Sequence, residues 1–176
     1  MVLNKRVMQW CEERNVLVDE QAGFRVGRST VDQVFVLSEL IRARRRKGQK
    51  TYCAFLDIKK AYDTVWRDGL MKRLLEVGLK GKMWRVIRNL YLIVESCVLV
   101  GQDKTEWFSL DTGLRQGCIL SPVLFAVFID GLARAVKAAK TERSLGSLKI
   151  SILCSRMIWY SSGTAGRNFR CCWILS

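Results

Sequence analysis

The chain has 176 residues, 49% of them hydrophobic, which suits one core and leaves little room for several independent domains. Thirty Lys and Arg against 16 Asp and Glu give a formal charge of +14, which excludes an acidic solvating segment and points to a polyanionic partner such as nucleic acid. The absence of His, the shortness of every apolar run, the lack of a signal-peptide pattern and the uneven spacing of seven Cys argue against a zinc centre, a membrane span and a secreted disulfide framework. The expected setting is intracellular, nucleus or cytoplasm, not secreted.

In chain order, Ser29 or Thr30 is placed to cap a helix whose Val31, Val34, Phe35 and Ile41 share a face. The helix ends in the densest positive cluster of the chain, Arg42, Arg44, Arg45, Arg46 and Lys47. Such a cluster suits phosphates, and it equally suits a solvated helix end favoured by the helix dipole. Residues 51–56, β-branched and aromatic after a Gly-Gln-Lys turn, predict a buried strand that delivers Asp57 at its end. A strand-end aspartate is a common ligand for hard cations in phosphoryl transfer, and also a common turn cap. Tyr62 comes near the same place if the chain turns tightly, while Asp63 is expected to turn away. Asp68 begins a second helix with Leu70, Met71, Leu74 and Leu75 inward and Gly78 closing it. Met83, Trp84, Ile87 and Tyr91 mark a third helix. Residues 96–101 and 106–110 predict a hairpin turning at Gln-Asp-Lys-Thr.

The most informative stretch is GLRQGCILSPVLFAVFIDGL, residues 113–132. Gly113 and Gly117 allow backbone conformations closed to other residues, with the Arg115 cation and the Gln116 amide between them. Ser121 reads as an N-cap and Pro122 as the first helical residue. Leu124, Phe125, Phe128, Ile129, Leu132 and Val136 then recur at helical spacing, with Asp130 expected to be solvated or capping. A strand over SLKISILC, 147–154, completes the order helix, strand, two helices, two strands, helix, strand. That order predicts an α+β domain.

Three blocks together resemble the reverse transcriptase domain of non-LTR (LINE-type) retrotransposons. They are DEQAGFRVGRSTVDQVFVLSELI (19–41), CAFLDIKKAYDTVWRDGLMKRL (53–74) and GLRQGCILSPVLFAVFIDGL (113–132), similar to the fingers-to-palm block and to polymerase motifs A and B. The likeness runs from about Leu3 to Leu153. It implies partial fingers and the fingers-palm helix over 1–50, a palm over 51–153, and no thumb. It also implies template-directed nucleotidyl transfer with RNA template, DNA primer, deoxynucleotides and magnesium. By the resemblance, Asp57 is the motif A metal-binding, catalytic aspartate, with Ile58 beside the nucleotide. Tyr62 is the gate against a ribose 2′-hydroxyl. Arg115, Gln116 and Gly117 line the nucleotide and template base, and Arg25 and Arg28 face phosphates or lie in a solvated loop. The chain reads as a fragment of such a protein.

The family's second acidic motif is missing. An aromatic-Ala-Asp-Asp turn is expected after residue 153, yet residues 154–176 contain no Asp or Glu. Shifting the reading frame recovers it. The last base of the Met157 codon with the first two of the Ile158 codon must spell GAU, an Asp codon. The neighbouring codons permit Leu-Phe-Ala-Asp-Asp-Met-Val. The expected cause is a frameshift near 152–155 that leaves 154–176 an aberrant, poorly packed tail. The expected consequence is a chain without polymerase activity, or a basic remnant that binds nucleic acid without chemistry.

Overall fold

The computed structural model describes residues 2–138, 143–145, 148–150, 152–156 and 169–175. Its first helix, α1 (Val2–Glu13), is one the sequence pattern did not mark. It buries Val7 and Cys11, four residues apart and so on one face. Ser29 opens α2 (Thr30–Arg46) with a complete capping box: its side chain accepts from the Asp32 amide, and the Asp32 carboxylate accepts from the Ser29 amide. The expected apolar face of α2 is present but uncovered. Val31 and Phe35 are 75% and 63% exposed, and only Leu40 is buried.

The strand at Asp57 is β1 (Tyr52–Ile58), two residues longer than predicted at its C-terminal end. It is not buried on both faces as expected, since Tyr52, Phe55 and Leu56 are exposed. Helix α3 (Arg67–Glu76) buries Leu70, Met71 and Leu74, while Leu75 stays exposed. Gly78, at φ +94°, lets the chain reverse so that the Gly78 and Leu79 amides donate to the Leu75 and Leu74 carbonyls. Helix α4 (Gly81–Leu90) follows, with Ile87 buried and Met83 and Trp84 packed against the core.

The predicted hairpin exists with a different turn. Strands β2 (Glu95–Ser96) and β5 (Phe108–Ser109) pair antiparallel, and inside them β3 (Leu99–Val100) pairs with β4 (Asp103–Lys104). The turn is Gly101-Gln102, because Val100 faces Asp103 and Gly101 takes φ +64°. Asp103 and Lys104, read from sequence as turn, are therefore strand.

Helix α5 (Ser121–Ala138) is the centre of the core and packs on α3 and α1. Val123, Leu124, Phe125, Ala126, Val127, Ala133 and Val136 are buried on it. Full burial of one such large side chain is worth roughly 1.5–3 kcal/mol, so this helix contributes much of the burial that holds the fold. Ser121 does not accept a capping bond as its sequence suggests. Its hydroxyl donates to the Arg115 carbonyl at 2.7 Å and ties the preceding loop down.

After β6 (Arg143–Leu145) and β7 (Leu148–Ile150), which pair with each other, β8 (Ile152–Arg156) and β9 (Phe169–Leu175) join β1. The three-stranded sheet has the order β1-β9-β8, antiparallel throughout. Its middle strand comes from the segment expected to pack poorly, of which 157–168 and 176 lie outside the described residues. The fold is thus a mixed α/β arrangement of helices and small sheets, and no described helix is long and apolar enough to cross a membrane.

Candidate functional site

Asp57 sits one residue from the end of β1, exposed, with the half-buried Ile58 after it. The chain then turns through Lys59 and Lys60, both exposed, and Lys60 takes φ +51°. The Asp63 and Thr64 amides donate to the Lys60 carbonyl at 2.9 and 3.1 Å, closing one tight turn. That turn carries Tyr62 inward. Its ring is 8% exposed and packs edge-on to Phe125 at 5.3 Å between centroids, with Phe24 on another side at 6.5 Å.

The 112–117 loop is fastened to this turn by its backbone. The Leu114 amide donates to the Tyr62 carbonyl at 2.7 Å, and the Gly113 amide to the Val65 carbonyl at 2.9 Å. Gly113 is required twice over. Its φ is +83°, and a Cβ there would stand 2.7 Å from the Asp63 carbonyl oxygen. Arg67, at the start of α3, completes the fastening. Its guanidinium donates to the Gly113 carbonyl at 2.8 Å, the Thr112 carbonyl at 3.0 Å and the Leu110 carbonyl. It also lies over the Tyr91 ring at 5.7 Å, and burial holds it below its ordinary pKa.

Arg115, Gln116 and Gly117 are consequently presented outward, all three exposed, with Gly117 at φ +78°. Arg115 reaches the Ile93 carbonyl at 3.5 Å. The Gln116 amide donates to the Asp63 carboxylate at 2.7 Å. Asp63, expected to turn away from Asp57, faces this loop. The 53-residue separation of that pair leaves no local signal in the sequence.

Arg25 and Arg28 are engaged elsewhere. Arg25 is 9% exposed and grips both Glu12 oxygens, at 2.9 and 2.7 Å, and the Val18 carbonyl at 3.1 Å. The bond from Arg25 holds the Glu12 carboxyl below its ordinary range. Arg28 pairs with Asp19 at 3.1 Å. Asp130 corrects another expectation. It is fully buried, accepts from the Val18 amide at 2.8 Å, and meets Arg134 at 2.6 Å and Arg73 at 3.4 Å. It therefore joins α5 to α3 and to the chain after α1.

Two further features do not include Asp57 or Gln116 themselves. An open cleft of about 360 Å³ is lined by Trp66, Arg67, Tyr91, Ile93, Leu110 and Asp111, among others. At the end of α2, Arg44 is bound to Thr51 and the Lys50 carbonyl, and Arg42 to Glu39, while Arg45, Arg46 and Lys47 are exposed. Among the described residues no group of three or more His, Cys, Asp or Glu could hold a metal ion. The positions facing Asp57 bear on this. Its cross-strand partner is Arg170, which in turn pairs with Ser155.

A family model described as reverse transcriptase (RNA-dependent DNA polymerase) matches residues 1–154. The chain belongs to the reverse transcriptase family. A probable RNA-directed DNA polymerase from transposon BS of Drosophila melanogaster is 33% identical over 122 residues, 68% of this chain and 13% of that protein. A retrovirus-related Pol polyprotein from the type-1 retrotransposable element R2 of Nasonia vitripennis is 30% identical over 141 residues, 80% of this chain and 14% of that protein. The RNA-directed DNA polymerase from mobile element jockey of Drosophila funebris is 26% identical over 129 residues, 73% and 14%. This is a reverse transcriptase-like domain related to non-LTR retrotransposons, and it spans about one seventh of the length of these relatives.

Proposed function

We propose that this reverse transcriptase-like chain descends from an RNA-directed DNA polymerase and, as it stands, holds primed template without extending it. In this reading residues 1–50 are partial fingers and the fingers-palm helix, and 51–153 are the palm. Residues 154–176 follow a frameshift. Asp57 is the metal-facing aspartate, with Ile58 beside the nucleotide and Tyr62 setting the sugar wall through its packing on Phe125. Arg115, Gln116 and Gly117 face the incoming deoxynucleotide and template base, and Arg25 and Arg28 brace the fingers around Glu12 and Asp19. The exposed Arg45, Arg46 and Lys47 meet phosphates. The chain acts inside the cell, in nucleus or cytoplasm.

The observation that carries the inactive half is the register at Asp57. In-line attack of a primer 3′-hydroxyl on a triphosphate needs metal ions clamped by several carboxylates. Here the opposing strand positions are Arg170 and Ser155, followed by Arg156. With no acid anywhere in 154–176, these residues do not fit the family's magnesium pair. What the chain supplies is positioning: the loop fastened by Arg67 and Gly113, and the charge that holds a polyanion.

Two assays on the purified chain with one primed RNA template and magnesium test both halves. Primer extension should stay at background, and any template-dependent product refutes the inactive half. Binding of the same template should fall steeply as salt rises, and a failure to bind at low salt refutes the holding half.

A further inference from the structure

Asp63 and Gln116 form a contact that the fold does not need. The backbone of Asp63 is fixed by other groups: the Thr112 hydroxyl donates to its carbonyl at 3.3 Å, its amide donates to the Lys60 carbonyl, and Gly113 packs against it. The neighbouring Leu114–Tyr62 and Gly113–Val65 bonds close the loop without either side chain. Both side chains are exposed, where a single such bond adds on the order of 0–1 kcal/mol.

The bond does decide which way the Gln116 amide faces. An ionised carboxylate only accepts, so the Gln116 Nε2 must point at Asp63, and Oε1 is carried to the other side. No other hydrogen bond of the Gln116 side chain is present among the described residues. We infer that Asp63 is a positioning residue: it holds the Gln116 amide with its oxygen outward, so that the loop offers the bound nucleotide an acceptor and selects a hydrogen-bond donor on it. This rests on the proposal that Gln116 faces the nucleotide. An asparagine at 63 has the same shape but offers its own amide donor, so either orientation of Gln116 becomes possible.

The test uses the full chain with a primed RNA template, magnesium and fluorescent deoxyguanosine triphosphate, together with the NMR resonances of the Gln116 side-chain amide. Asp63→Ala and Asp63→Asn should each raise the nucleotide Kd by about three- to tenfold, the range expected for one oriented hydrogen bond. Melting temperature should be unchanged, and both variants should shift the Gln116 amide resonances. The Asp63→Ala, Gln116→Ala double variant should lose no more than Gln116→Ala alone. Full affinity in Gln116→Ala, or no nucleotide binding by the unaltered chain, overturns the underlying nucleotide reading. Weakened binding in Gln116→Ala with full affinity in both Asp63 variants overturns the role of Asp63 and leaves that reading standing. Unmoved Gln116 resonances in Asp63→Ala overturn the role of Asp63 whatever the affinity.

Discussion

The Arg67 guanidinium and the Gly113 carbonyl, 46 residues apart in sequence, are joined at 2.8 Å, and two more carbonyls of the same loop accept from that guanidinium. One rigid planar fork thus fixes the root of the loop that presents Gln116. Lysine offers a single point charge and cannot reproduce three bonds in one plane. Arg67→Lys should cost about 1–3 kcal/mol of stability, the range for losing hydrogen bonds from a charged donor, as read by urea denaturation. Amide exchange at Gly113 and Leu114 should rise with it. Unchanged exchange at these two amides would mean that their backbone bonds alone hold the loop.

Gly113 and Gly117 separate two costs that a glycine can hide. Both have positive φ, +83° and +78°, but a Cβ at Gly117 meets nothing within 4 Å, whereas at Gly113 it meets Asp63 backbone at 2.7 Å. Gly117→Ala should cost about 1–2 kcal/mol for the left-handed backbone alone. Gly113→Ala should cost more, because backbone rather than a flexible side chain must give way. Chemical denaturation of the two variants side by side measures the difference. Equal losses would place the whole penalty in φ.

What the sequence made legible was local. A cap at Ser29 or Thr30 (the structure uses Ser29), the buried Leu70, Met71 and Leu74, and Gly78 as a helix stop each follow from residues within one turn of each other. Helix α1 was not marked, although Leu3, Val7 and Cys11 recur at four-residue spacing and Met8 and Trp10 also pack against the core. Only two of these are fully buried, and Asn4, Lys5, Arg6 and Gln9 interrupt the apolar pattern. The apolar side of α2 shows the converse failure, since periodicity identifies a face and cannot say whether anything covers it. In the 112–117 loop, the need for glycine at 113 and 117 was legible from turn chemistry. The partnership of Gln116 with Asp63 was not, because an exposed acid reads the same with or without a distant amide. The sheet partner of Asp57 lies over a hundred residues away, beyond any local pattern.

Asp130 illustrates the same gap and makes a strong stability prediction. An acid on an otherwise apolar helix face looks like a solvated interruption, yet here it is fully buried against Arg134, Arg73 and the Val18 amide. Removing one partner from a buried ion pair costs about 3–5 kcal/mol, because the remaining charges lose their counter-charge. Arg134 is 48% exposed and also donates to the Val16 carbonyl, so part of its charge is already solvated and satisfied. Asp130→Ala should therefore fall near the lower end, about 3 kcal/mol. Equilibrium unfolding measures it, and a loss under 1 kcal/mol would show that the pair is dispensable.

The Glu12–Arg25 pair gives the chain a pH dependence of known sign. The bond from Arg25 lowers the Glu12 carboxyl below its ordinary 4.5, outweighing the upward push of desolvation, and the same bond raises Arg25. A folded-state pKa below the unfolded one means that the folded protein holds this proton less tightly. The stabilisation is then complete above the unfolded value and disappears as pH falls through the lower folded value. Glu12→Gln should unfold more easily than the unaltered chain at pH 7, and the two should converge on acidification below about 4.5. Thermal melts from pH 7 to pH 3 test this. A gap between the two chains that stays constant across that range would show that Glu12 contributes through packing and neutral hydrogen bonding, with its charge playing no part.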